Sequence, residues 1–92
     1  MTEDWQINVE VRAALVKRFV DTKTINVSTS NGCVLIKGEL GFVGQNVEEE
    51  HIPPILSKIE KDIKYIKGVK DLKINFKDWI KVQERWINLK EL

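Results

Sequence analysis

Few residues of this chain carry chemistry beyond packing, and the densest group of them is Glu48-Glu49-Glu50-His51. Carboxylates and an imidazole are suitable metal ligands, and the same groups supply general acid and base catalysis. Consecutive residues, however, project in different directions, and His51 is the chain's single histidine. Acidic residues just ahead of a helix are accounted for by the positive end of its dipole. Cys33 is the single cysteine, so it forms no internal disulfide and lacks the companions of a structural zinc site. It reads as a small apolar strand residue. The chain has no histidine pair at helical spacing and no glycine loop of the phosphate-cradling kind. We therefore expect no catalytic residue, no metal ligand and no cofactor.

Composition narrows the remaining classes. Ninety-two residues, 42% apolar and 32% charged, fit one globular domain with its own core. Even an apolar run such as Cys33-Val34-Leu35-Ile36, which no other run exceeds, is far short of the roughly 20 residues a membrane span needs. A net charge of +1 creates no global field toward nucleic acid or anionic lipid, and nucleic acid is not an expected partner. The start, Met1-Thr2-Glu3-Asp4-Trp5, is acidic where a secretory leader is basic, so a cytoplasmic location is expected.

The elements that must position any site follow from periodicity. Trp5, Ile7, Val9 and Val11 alternate as in a strand, yet Ile7, Val11, Leu15 and Phe19 recur at every fourth position, which outlasts the alternation and predicts a helix ending near Val20. Thr2 or Asp4 is placed to cap it. Thr24 to Thr29 alternates with β-branched residues, Asn31-Gly32 supplies a tight primed turn, and Cys33 to Leu40 returns as a second strand. Gly38 interrupts that strand, where a missing side chain permits a bulge or the close approach of a helix. Ile55, Ile59, Ile63 and Ile66, flanked by Ile52 and Leu56, form the stripe of a second helix, with Pro53 or Pro54 in its first turn and Gly68 as its C-terminal cap. Val69 to Lys77 alternates again, with Leu72, Ile74 and Phe76 on one face. The expected fold is α+β: a two-layer sandwich of αββαβ order, with two helices on one face of a three-stranded mixed sheet.

In these residues the chain resembles the BON domain, a small bacterial module of osmotically induced and nodulation proteins. The resemblance rests on Ile7, Val11, Ala14 and Leu15, then Ile25 and Val27. It continues through Gly32-Cys33-Val34-Leu35-Ile36-Lys37-Gly38, which fits the family's glycine, any, valine, any, aliphatic, any, glycine pattern, and ends on Gly68-Val69, Leu72 and Ile74. It covers about residues 4–76. It implies an αββαβ fold and a non-catalytic role in binding phospholipid surfaces or protein partners. An insertion loop of about 41–54 and an extension of 78–92 lie outside the pattern.

Those two additions supply the candidate contact residues. Phe42 and Val43, between Gly41 and Gly44, form a flexible apolar tip or else tuck under the second helix. The tail carries two of the three tryptophans; read as an amphipathic helix, it aligns Trp79, Val82, Trp86 and Leu89 along one side, with Ile80 and Ile87 flanking the other. Such a segment packs on its own sheet, pairs with its twin in a homodimer, or enters a membrane interface. The outer sheet face, with Cys33, Leu35, Lys37, Asn26, Ser28, Lys73, Asn75 and Lys77, lacks stacking aromatics and reads as solvated. The expected function is a non-enzymatic module that binds a protein partner or itself, or else a phospholipid surface.

Overall fold

The structure, a computed structural model, describes residues 3–44 and 46–89. Helix α1 (Asp4–Lys17) leads through a short 3₁₀ turn into β1 (Ile25–Ser30) and β2 (Cys33–Gly38). A long loop and a second 3₁₀ turn (Glu49–His51) precede α2 (Ile52–Lys64), followed by β3 (Asp71–Phe76), β4 (Trp79–Val82) and β5 (Arg85–Asn88). The five strands form one mixed sheet in sequential order. Strands β2 and β3 are parallel, with α2 in the crossover between them, and every other neighbouring pair is antiparallel.

Each turn of this topology has a local cause. The β1–β2 hairpin turns on Asn31 and Gly32, both at positive φ, as a two-residue primed turn demands. Asp4 does not cap its own helix: the backbone cap is Glu3, and Thr2 lies outside the described residues. The Asp4 carboxylate instead accepts the N–H groups of Asn31 and Gly32 at 3.0 and 3.2 Å, tying the start of α1 to the hairpin tip. Pro53 and Pro54 occupy the first turn of α2, where their missing N–H groups cost nothing. Gly68 is left-handed, but it sits four residues past the last helical residue, in the turn toward β3 rather than as the cap itself.

The core lies between the helices and one sheet face. Register places Val27, Ile36 and Ile74 in one row, with Ile25 and Phe76 beside Gly38 in another. Onto them fold Ile7, Val11 and Leu15 of α1 and Ile52, Leu56, Ile59 and Ile63 of α2, all buried. Gly38 is the place of close approach, though what approaches is the backbone at the entry to β1 and not α1 or α2: a Cβ there would stand 2.1 Å from the carbonyl oxygen of Thr24, the last residue of the 3₁₀ turn, and 3.0 Å from the Ile25 Cα.

The tail departs from the sequence expectation. Residues 79–88 are not an amphipathic helix but the hairpin β4–β5, which widens the expected three-stranded sheet to five and extends the order to αββαβββ. Its two-residue loop, Gln83-Glu84, has φ of 49° and 67°, the signature of a primed turn built from residues that rarely make one. Alternation then directs Trp79, Lys81, Trp86 and Asn88 toward the helices and Ile80, Val82, Arg85 and Ile87 toward the open face beside Asn75. The ladder to β3 is a single residue pair, Asn75 with Ile80.

Side chains therefore hold the hairpin down. Lys81 Nζ lies 2.8 and 2.7 Å from the two carboxylate oxygens of Glu60 on α2, and both side chains are largely withdrawn from water. Glu60 also has Lys64, one helical turn on, at 3.8 Å, but Lys81 is its closer partner. Breaking this pair from one side strands a partly buried charge. Lys81→Met is expected to cost about 2 kcal/mol in urea denaturation. Adding Glu60→Leu is expected to recover part of that loss, because the unpaired carboxylate is then gone as well.

Candidate functional site

The acidic stretch that opens the search for chemistry does converge in part. The 3₁₀ turn, closed by the His51 N–H on the Glu48 carbonyl at 2.9 Å, brings ligand atoms of Glu48, Glu50 and His51 within 4.8 Å of one another, against the expectation that they diverge. All three are exposed, and the His51 Nε2 to Glu50 Oε1 separation is 3.8 Å. A solvated trio of this kind is common on protein surfaces without an ion. Beside it, a hollow of about 470 Å³ is lined by Glu49, Glu50, Pro53, Arg85, Trp86 and Asn88 among others. The Trp86 indole N–H is buried without a hydrogen-bond partner among the described residues. Cys33 is exposed at the edge of the open face.

The tail residues do not gather into one face. Trp79 is 7% exposed and belongs to the core, Trp86 packs against that core half-buried, and Leu89 is also half-buried. Val82 is exposed but points to the opposite side of the sheet. The two tryptophans are thus mostly consumed by intramolecular packing. Lys90, Glu91 and Leu92 lie outside the described residues.

The insertion loop divides its two apolar residues. Val20 bridges Phe42 in antiparallel fashion, the Asp21 N–H donates to the Gly41 carbonyl at 2.9 Å, and the Val43 N–H donates to the Phe19 carbonyl at 2.8 Å. This short ladder turns Phe42 against the core and leaves Val43 in solvent next to Phe19.

That contact leads to a group of exposed apolar residues of which the sequence reading found only Val43. Trp5, Val9, Val16, Phe19 and Val43 are each more than half exposed. Trp5, Val9 and Val16 fall on one side of α1, opposite the buried Ile7, Val11 and Leu15. The helix has two apolar faces. The early strand-like alternation is their superposition, since positions 5 and 9 serve one face while 7 and 11 serve the other.

Phe19 completes the strip at a cost in backbone strain. Past the C-cap Arg18, the Val20 N–H bonds the Leu15 carbonyl at 3.0 Å and the Phe19 N–H bonds the Val16 carbonyl at 2.9 Å, the two bonds of a Schellman motif. Its left-handed position, normally glycine, is Phe19 at φ 62°. For a bulky L-residue that conformation costs about 1–2 kcal/mol. The ring that incurs this cost is not buried, so packing does not offset the strain. Backbone strain of this kind concentrates at functional surfaces.

Against known proteins, no family model matches the chain, and no curated protein matches it. No helix among the described residues is long and apolar enough to cross a membrane.

Proposed function

We propose that this chain is a non-enzymatic binding module, a BON-like domain that engages a protein partner or a second copy of itself through the outer face of α1 and the adjoining tip at Val43. The observation that carries the reading is the strip of Trp5, Val9, Val16, Phe19 and Val43, exposed and terminated by a strained phenylalanine. Exposed large apolar residues gathered on one side of a helix mark interaction sites. The BON-like part of the proposal is supported by the α1-β1-β2-α2-β3 order over residues 4–76, with Gly32 at the hairpin and Gly38 at the strand end. Binding of the apolar dye ANS to the folded protein is expected to fall sharply in Trp5→Ser/Phe19→Gly, with the circular dichroism spectrum unchanged. Full dye binding by that double variant would move the exposed apolar surface elsewhere and end the reading.

The alternative is a peripheral phospholipid-binding module, favoured by an exposed tryptophan and phenylalanine beside Arg12 and Lys17. It predicts cosedimentation with phosphatidylserine vesicles that is lost in Trp5→Ser. Absence of pelleting with both anionic and neutral vesicles retires it.

A further inference from the structure

We infer that the occupant of the α1 strip is a second copy of this chain, packed helix to helix in antiparallel orientation about a twofold axis. The inference rests on the binding reading above and names the partner.

Trp5, Val9, Arg12 and Val16 follow one another along α1 at intervals of four, three and four residues, the spacing of a helix seam that meets another helix, and Phe19 follows just past the helix end. The seam contains one charge, Arg12, and that charge selects the orientation. In a parallel pair Arg12 would face Arg12 of the second copy inside an otherwise apolar contact, and the like-charged ends of the two helices would coincide. In an antiparallel pair centred between Glu10 and Val11, Trp5 meets Val16 of the second copy, and Arg12 meets Val9, along whose side chain its aliphatic stem can lie. Phe19 then reaches past Trp5 to the far end of the seam.

The remaining charges agree. Acidic Glu3 and Asp4 begin the helix and basic Lys17 and Arg18 end it. Antiparallel packing sets each acidic end on a basic one and opposes the helix dipoles. Asp4 and Arg18 already hold the hairpin turn and Asp62, which leaves Glu3 and Lys17 as the rim pair. A contact made by one helix face and the Val43 tip is small among stable interfaces, so the dimer should dissociate in the micromolar range. The strain at Phe19 then has a use: it extends the seam by one aromatic beyond the helix end.

Sedimentation equilibrium from low to several hundred micromolar protein tests this. The wild type is expected to fit a monomer–dimer equilibrium. Phe19→Gly is expected to raise the dissociation constant at least about tenfold while raising the thermal midpoint, since glycine suits the left-handed position. Trp5→Ala is expected to weaken the dimer with little change in stability, and Arg12→Leu to tighten it about tenfold. Orientation is read on a Cys33→Ser background, where a short thiol cross-linker is expected to join Glu3→Cys protomers to Lys17→Cys protomers and neither to its own kind. A wild type that stays monomeric throughout, an Arg12→Leu variant that dimerises less well, or Glu3→Cys protomers that cross-link to themselves would each overturn the proposal. Monomeric protein that still binds ANS through Trp5 and Phe19 refutes the dimer alone. Monomeric protein whose dye binding is unchanged by Trp5→Ser/Phe19→Gly refutes the binding reading as well.

Discussion

Gly38→Ala is expected to lower the folding free energy by about 3 kcal/mol or more, a large share of the roughly 5–14 kcal/mol available to a chain of this length. Gly38 has φ 122°, a backbone region that residues with a Cβ scarcely enter. The added methyl would also stand 2.1 Å from the Thr24 carbonyl oxygen and 3.0 Å from the Ile25 Cα. Both obstacles are backbone, so no side chain can swing aside. The surrounding ladder leaves little room to shift, because the Glu39 N–H bonds the Thr24 carbonyl at 3.1 Å and the Lys77 N–H bonds the Gly38 carbonyl at 2.8 Å. One methyl group therefore strains the junction of three strands at once. Gly41 is the control: a Cβ there meets nothing within 4 Å, and Gly41→Ala should change stability by no more than about 0.5 kcal/mol. Equal effects of the two substitutions in guanidinium denaturation would contradict this account of β2.

Trp79→Ala is expected to cost about 3–5 kcal/mol, the range for truncating a large buried aromatic. Trp79 is the β4 contribution to the core, and β4 is joined to β3 through one residue pair. Its ring and the Lys81–Glu60 pair thus hold a hairpin that the backbone ladder holds weakly. Removing the ring opens a cavity under α2 and loosens the hairpin together, so amide exchange in Trp79–Asn88 should accelerate beyond the global loss of stability. Trp5→Ala, which deletes the same side chain from the surface, should change stability by about 0.5 kcal/mol or less. Similar costs for the two tryptophans would mean that the tail is not seated as described.

The contrast between these two tryptophans shows what could be read in advance. The second helix, the Asn31-Gly32 hairpin and the third strand carried signals whose chemistry and geometry coincide: proline in a first helical turn, glycine at positive φ, and period-two burial. The tail reads as a helix because its turn is made by Gln83 and Glu84, which adopt left-handed backbone without the asparagine or glycine that announces it. With that turn hidden, Trp79, Val82, Trp86 and Leu89 also satisfy helical spacing. The apolar strip was obscured differently. A helix with two apolar faces has little net amphipathicity, so Trp5 and Val9 read as competing evidence for a strand rather than as a second surface. Phe19 gave no sign of the Schellman motif, because the residue that marks it is ordinarily glycine. Of the loop residues proposed for contact, Val43 joins the strip because the Phe19 carbonyl holds it there, a pairing across twenty-four positions that no local pattern expresses.

The three tryptophans also provide the most direct measurement of where this protein binds. Their indole N–H resonances separate Trp5 on the outer face of α1 from Trp79 in the core and Trp86 beneath the β4–β5 hairpin. Across a dilution series followed by nitrogen–proton correlation spectroscopy, the Trp5 signal should move with protein concentration while those of Trp79 and Trp86 hold still. Movement of Trp86 with Trp5 fixed, or three signals unchanged from the highest concentration to the lowest, would contradict the assignment of α1 as the self-associating surface.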